Sequence, residues 1–144
     1  MLAGTLALTI AALFTGAAFY INFAEQPARL GTEDDAALTQ WKFAYKRGLA
    51  MQAPLAMLGF VLGIVAYWLT GKIEFIAGGL LLLANWPWTI FGIMPTNRSL
   101  MATSAESAGP ATRALIVKWN RLHGVRTALG FLSMVAFLLA IARS

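Results

Sequence analysis

The sequence predicts an all-α fold: an integral membrane bundle of four helices in one domain of 144 residues. Hydrophobic residues make up 59% of the chain, well above their share in soluble proteins. Four long runs hold no charged residue: 2–23, 48–71, 75–97 and 127–142. A bilayer core about 30 Å thick requires about 20 apolar residues in a helix that crosses it. The runs lack the alternating pattern of barrel strands, so helices are the spanning structure that fits them.

Each run predicts one membrane span, and the four spans cover about residues 2–24, 48–70, 73–94 and 123–142. The last run is sixteen residues long and reaches only about 24 Å as a helix, which is too short for the bilayer core. The fourth span must therefore take in Arg126 and the only histidine of the chain, His123. Both side chains are then expected close to the hydrocarbon boundary.

The second and fourth helices are predicted to be longer than the bilayer is thick. The second is expected from about Glu33 to Thr70, roughly 57 Å at the rise of an α-helix. The fourth is expected from Pro110 to about Arg143, because proline is favoured at the first helical position. Both helices are then predicted to project beyond the bilayer on one side. The first helix is expected to end at Pro27, since proline cannot continue the hydrogen-bond pattern.

Basic residues are concentrated in two connections, 24–47 and 98–126. These hold nine of the eleven basic residues: Arg29, Lys42, Lys46, Arg47, Arg98, Arg113, Lys118, Arg121 and Arg126. The positive-inside rule places both connections in the cytoplasm and both termini on the outer side of the cell membrane. The net charge is +5, but the basic residues flank the predicted spans, as is usual in membrane proteins. We therefore predict the lipid bilayer as a partner and no binding of nucleic acid.

The composition argues against most cofactor chemistry. There is no cysteine, which removes disulfides and thiolate ligands. A di-iron bundle needs at least four inward carboxylates and two histidines, whereas this chain has six acidic residues and one histidine. No glycine-rich nucleotide fingerprint occurs. We therefore predict no metal site and no cofactor. A haem held by His123 alone and the formation of homo-oligomers are left open.

Two helix faces carry residues suited to chemistry. Trp119, His123 and Arg126 are spaced i, i+4, i+7 and share one face of the fourth helix. Trp41, Tyr45, Gly48 and Gln52 share a face of the second helix by the same rule. If both faces turn inward they form one chamber. Further polar residues are expected at its depth: Asn22, Glu25, Arg29, Trp88, Thr89 and Asn97.

Ionisable groups at this depth are candidates for a functional site. The competing interpretation is that these aromatic and basic residues only anchor the helices at the membrane boundary, where such residues are common.

Four strings resemble a known family. They are AAFYINFAEQPAR at 17–29, WKFAYKRGLAMQ at 41–52, PTNRSL at 95–100 and WNRLHGVR at 119–126. They resemble, in order, the motifs of a bacterial and fungal family of small four-helix membrane proteins. Most of its bacterial members have no assigned role, and it includes the anthrone oxygenases. The resemblance covers nearly the whole chain.

The resemblance implies oxidation of an anthrone, a flat tricyclic polyphenol, to its anthraquinone. The anion left by loss of the benzylic proton can itself reduce oxygen, so the implied reaction needs molecular oxygen as co-substrate and no cofactor. His123 would then be the base, with Arg126 and Tyr45 as further catalytic residues. Arg126, Asn97 and Gln52 would hold the oxyanion. The predicted substrate-binding residues are Trp41, Trp119, Gln52, Asn97, Asn22, Glu25, Arg29 and Trp88, with the rings between the first two.

Two other functions stay open at this point. The same chamber would suit a protein that binds or transports a small amphipathic molecule, and the projecting basic helices would suit an accessory membrane subunit without catalysis. A second polar chamber on the outer side would favour transport, but Lys72, Glu74 and Arg143 give no sign of one.

Overall fold

The computed structural model describes residues 1–143 and is a bundle of four helices, which confirms the predicted fold class. The helices are α1 (Leu2–Leu30), α2 (Asp34–Thr70), α3 (Ile73–Ala102) and α4 (Pro110–Ala142). All four are long and apolar enough to cross a membrane. The chain is therefore a multi-pass membrane protein.

The helices run up and down and pack as a square. α1 and α3 lie diagonally opposite, and each packs against both α2 and α4. Residues 31–33 and 103–109 connect the helices at one end, and the second connection contains a short 3₁₀ turn, Ala105–Ser107. At the other end, α2 stops at Gly71, whose φ of 73° is one that glycine adopts without strain. The start of α1 and the end of α4 also lie at this second end.

Pro27 does not end the first helix, so that expectation was wrong. α1 widens into a π turn at Ile21–Glu25 and then continues as Gln26–Leu30, with Pro27 in the first turn of this segment. α3 repeats the arrangement with a π turn at Trp88–Ile93 and Pro95 in the turn that follows. Each of these prolines follows a π turn, which already interrupts the regular i→i−4 hydrogen bonds, so the missing proline N–H does not end the helix. α1 and α3 consequently extend to the same end as the longer α2 and α4.

One half of the bundle, called here the apolar half, lies towards the termini. Its core is formed by Ala7, Ala11, Phe14, Ala18, Ala56, Ala66, Phe75, Leu82, Phe137 and Ala140. Small residues let the helices approach closely. A Cβ added at Gly78 would lie 2.5 Å from Cε1 of Phe137, and one added at Gly63 would lie 2.8 Å from the carbonyl oxygen of Phe75.

The other half, called here the polar half, lies towards the connections 31–33 and 103–109. Its apolar core is Ala37, Leu38, Trp41, Ile93, Leu100, Ile116 and Trp119. The same layer buries Gln26, Arg29, Gln52, Asn97, His123 and Arg126. The polar half therefore contains most of the residues that the sequence marks as candidates for chemistry.

Candidate functional site

A small cavity lies inside the polar half, and all four helices contribute to its wall. Eight of the eleven predicted site residues line it: Glu25, Arg29, Tyr45, Gln52, Asn97, Trp119, His123 and Arg126. The cavity has a volume of about 30 Å³, roughly the share of one water molecule in the liquid. The two predicted helix faces, Trp41/Tyr45/Gln52 and Trp119/His123/Arg126, thus both turn into the bundle.

Arg126 is a buried cation with neutral partners. Its side chain lies near the middle of α4 and the residue is 7% exposed. Nη1 donates to Thr89 Oγ1 at 3.0 Å and Nη2 donates to Gln52 Oε1 at 2.9 Å. The guanidinium also lies 5.7 Å from the centre of the Phe14 ring. The ion pairs found in residues 1–143 join other side chains, so Arg126 has no carboxylate partner there.

His123 is oriented by a hydrogen bond to Asn22. Nδ1 of the ring lies 2.9 Å from Asn22 Oδ1. The Nδ2 group of Asn22 donates to the backbone carbonyl of Asn120 at 2.9 Å, which fixes Oδ1 as the acceptor end of the amide. In the neutral imidazole Nδ1 must then carry the proton, and Nε2 has the free lone pair. Asn22 therefore sets the tautomer that a general base on the cavity wall requires.

Asn22 itself is held on three sides. Besides the two bonds already described, its Nδ2 donates to Asn120 Oδ1 at 2.6 Å and its Oδ1 accepts a bond from Thr127 Oγ1 at 2.6 Å. α1 and α4 are thereby joined through one amide. The orientation of His123 depends on this network and not on a carboxylate.

A second polar cluster surrounds Arg29, which is 3% exposed. Nη2 pairs with Glu25 at 2.7 Å, Nη1 donates to Gln26 Oε1 at 2.6 Å, and Nε donates to Gln40. The guanidinium also lies 5.7 Å from the Trp119 ring centre. Unlike Arg126, Arg29 has a negatively charged partner. It joins the end of α1 to α2 and forms the outer wall of the cavity.

Four aromatic rings form a continuous row beside the cavity. Tyr45 stacks on Trp41 with ring centres 4.9 Å apart, and Trp41 meets Trp119 edge-on at 5.9 Å. Trp119 in turn stacks on His123 at 4.9 Å. Because the two tryptophans contact each other, no ring fits between them in this structure. Their predicted role in binding a substrate stays a prediction.

Three of the predicted residues do not line the cavity. Trp41 lies behind Tyr45 and Trp119, and Asn22 contacts the cavity only through His123. Trp88 donates its indole N–H to the carbonyl of Leu122 at 2.9 Å, which joins α3 to α4. These three residues support the walls of the site.

Several buried polar atoms of the cavity residues have no hydrogen-bond partner within residues 1–143. They are Gln52 Nε2, Asn97 Oδ1, Trp119 Nε1 and Arg126 Nε. A buried unpaired group costs about 1–3 kcal/mol, so such atoms are uncommon in folded proteins. Their concentration around one cavity is typical of a site that binds a polar or partly polar molecule.

The sequence did not identify some residues that complete the site. Gln26 donates to the Ile116 carbonyl at 3.1 Å, and Gln40 holds both Arg29 and Glu25. Thr127 binds Asn22. The available signal was weak: each is one polar residue on a helix, and its partner depends on the local geometry of the π turns.

Within residues 1–143, no three histidine, cysteine or acidic side chains come together as metal ligands. That the protein uses no metal stays a prediction.

The comparisons with known proteins point to one family. Residues 41–136 match the sequence model of the family described as Anthrone oxygenase. This chain belongs to the anthrone oxygenase family. The matched range includes both predicted faces, from Trp41 on α2 to Arg126 on α4. A relative from Claviceps purpurea (strain 20.1), named "Anthrone oxygenase", is 28% identical over an alignment of 137 residues, and the alignment covers 85% of this chain and 79% of that protein. No solved structure matches the chain.

Proposed function

We propose that this member of the anthrone oxygenase family oxidises a flat, anthrone-like aromatic substrate in the polar half of the bundle. The reaction converts a ring CH₂ group into a carbonyl with one molecule of oxygen. One oxygen atom becomes the carbonyl oxygen, and the other leaves as water with the two hydrogens of the CH₂ group. Family membership and the name of the Claviceps relative support this choice of reaction.

The observation that carries the proposal is the buried, uncompensated charge of Arg126. A cation inside a membrane bundle is costly unless it is paired, so such residues usually serve function. Removing the benzylic proton of an anthrone moves negative charge onto the carbonyl oxygen across the ring. An arginine that lacks a carboxylate partner is available to stabilise that oxyanion, and the low dielectric of the site strengthens the interaction.

His123 is the base in this proposal. Asn22 holds Nδ1 in its protonated form, which leaves Nε2 to accept the proton from the substrate. The arrangement is that of a base oriented by a third group. The small cavity has room for about one water molecule, and proton transfer through one water is within the reach of a general base.

We also propose that the polar half faces the cytoplasm across the cell membrane. Nine of the eleven basic residues lie in 24–47 and 98–126, at the polar end of the bundle, and this asymmetry follows the positive-inside rule. The substrate would then be oxidised near the inner boundary of the membrane.

The proposal is tested with protein purified in lipid nanodiscs. We expect oxygen uptake and anthraquinone formation in equal amounts, above the uncatalysed oxidation of the same anthrone, and no turnover without oxygen. Metal content is measured on the same preparation. A panel of hydroxylated anthrones and quinols identifies the substrate class. If every member oxidises only at the uncatalysed rate, the oxygenase proposal is wrong, and saturable binding in that case would favour a binding or transport protein.

A further inference from the structure

A second cavity lies beside the first and opens towards the lipid. This lateral groove runs between α2 and α3 and is lined by Leu49, Ala53, Asn85, Trp86, Ile90 and Arg126, among others. Its volume is about 240 Å³, whereas a cavity of about 150 Å³ is enough to hold benzene. Ile90 and Trp86 at its rim are 51% and 39% exposed, so on a membrane helix they face lipid.

The lateral groove and the small cavity share a wall. Leu49, Thr89 and Arg126 line both. The guanidinium of Arg126 therefore separates a groove large enough for aromatic rings from a cavity large enough for one water. A ring system in the groove would meet the buried cation at its inner end while the rest of the molecule extends into lipid.

Asn85, in the wall of the groove, has an unpaired polar atom. Asn85 is 1% exposed, and its Nδ2 group donates to the carbonyl of Leu82 in the same helix at 3.0 Å. Its Oδ1 atom is buried and has no hydrogen-bond partner in residues 1–143. An amide oxygen without a partner accepts a hydrogen bond from a hydroxyl group. The groove is thus mainly apolar. Its polar side chains are Asn85, Arg126, Thr89 and Trp86. The Thr89 hydroxyl already accepts a bond from Arg126 and the Trp86 indole already donates to the Ala53 carbonyl, which leaves Asn85 as the unpaired acceptor and Arg126 as the cationic donor.

We infer that the lateral groove is where a flat, hydroxylated aromatic molecule binds after reaching the protein through the lipid. Its rings pack against Ala53 and Ile90, a hydroxyl donates to Asn85 Oδ1, and one edge of the ring system faces Arg126. The inference rests on the proposed function, because the molecule in the groove is the substrate of the proposed oxidation before it reaches His123, which lines the small cavity and not the groove. In this inference the rings bind in the lateral groove and not between Trp41 and Trp119, which contact each other.

The groove is tested by binding, without turnover. The probes are 2-hydroxyanthraquinone and unsubstituted anthraquinone, and binding is measured in lipid nanodiscs by quenching of tryptophan fluorescence. Ala53→Phe fills the groove without lining the small cavity, so we expect the dissociation constant of both probes to rise at least about tenfold. The matched control is Ala50→Phe on the same helix, an exposed position that lines neither cavity, and it should bind as the wild type does. Ala53→Leu, a smaller change, replaces Ala53→Phe if that variant does not fold.

Asn85→Leu tests the hydrogen bond separately. We expect the dissociation constant of the hydroxylated probe to rise about fivefold, the usual effect of one lost hydrogen bond, and that of the unsubstituted probe to stay unchanged. Equal effects on both probes, or unchanged binding in Ala53→Phe, would overturn the inference. Binding that depends on Ala53 without any oxygen-dependent turnover would support the groove and contradict the oxygenase. Oxygen-dependent turnover that is unchanged in Ala53→Phe would support the oxygenase and contradict the groove.

Discussion

The apolar half and the polar half of the bundle use the same four helices in different ways. In the apolar half alanine, glycine and phenylalanine interlock, and the buried Ser133 donates to the Gly78 carbonyl at 2.7 Å. In the polar half two arginines, a histidine and several amides are buried together. The six buried side-chain atoms without a partner in residues 1–143 lie in the polar half or, for Asn85, at its border. One half is packed for stability, while the other half retains unpaired groups that a ligand can satisfy.

The largest expected contrast between the halves is their side of the membrane. The chain has no cysteine, so Ser104→Cys and Gly71→Cys each introduce one label site. In intact cells an impermeant thiol reagent should label Gly71→Cys at the apolar end and leave Ser104→Cys at the polar end unlabelled. Labelling of Ser104→Cys with Gly71→Cys protected would reverse the orientation.

His123→Gln should have the largest effect on catalysis. We expect activity to fall by about 10²–10⁴, the usual share of general acid–base catalysis, with little change in melting temperature. In the wild type, activity should also fall at acid pH, because a protonated imidazole has no lone pair to accept a proton. That acid limb should disappear in His123→Gln. Turnover and melting temperature are measured on the same preparation, and full activity in a folded variant would end the catalytic claim.

Arg126→Lys should lower activity by about 10²-fold, comparable to the loss of one oxyanion donor. Lysine keeps the charge but not the planar fork that holds Thr89 and Gln52. The control is Arg121→Lys on the same helix, an exposed position, where we expect unchanged turnover. If both variants keep full activity, Arg126 only anchors the helix.

Asn22→Leu tests the tautomer of His123. Loss of the acceptor for Nδ1–H should lower kcat about tenfold or more while KM changes little, because the base is misoriented and the substrate site is intact. The matched variant Thr127→Val removes the other donor to Asn22 Oδ1 and keeps the bond to His123. It should have a much smaller effect. Equal losses in both variants would indicate a structural network and no specific role in setting the tautomer.

Gly78→Ala should have the smallest effect on turnover and a clear effect on stability. The added Cβ would lie 2.5 Å from the buried ring of Phe137, and overpacking of this kind costs about 1–3 kcal/mol. Gly16→Ala is the control, since a Cβ there meets no atom within 4 Å. We expect a lower melting temperature only for Gly78→Ala, with unchanged turnover per folded molecule. A loss of turnover at constant stability would show that the two halves are coupled.

Helix spacing alone was enough to predict the two faces that turn into the bundle. Trp41 and Gln52 on α2, and Trp119 and Arg126 on α4, belong to regular helix, where residue spacing determines direction. The charge pattern was enough to predict the bundle, because uncharged runs of span length have few other structures. Both predictions rest on helix periodicity and on the length of uncharged runs, which do not depend on the residues that a side chain contacts.

The rest depended on irregular backbone and on contacts across helices. The sequence pattern does not show that π turns occur at Ile21–Glu25 and Trp88–Ile93. These turns determine the directions of the Asn22, Gln26 and Thr89 side chains. The edge-on contact of Trp41 with Trp119, which leaves no gap for a substrate, depends on how closely α2 and α4 approach. The lateral groove depends on α2 and α3 together, so neither helix predicts it alone.

Each π turn also changes which residues of the following helical segment face the interior of the bundle. Ala18 and Gln26 are both buried and are eight residues apart. Two turns of ideal helix contain about seven residues, so the π turn between them accounts for the one additional residue. α3 shows the same offset between Asn85 and Ile93. A regular helix would turn Gln26 away from the Ile116 carbonyl to which it now donates. The one additional residue in each helix thus keeps the same helix face turned inward in both the apolar half and the polar half.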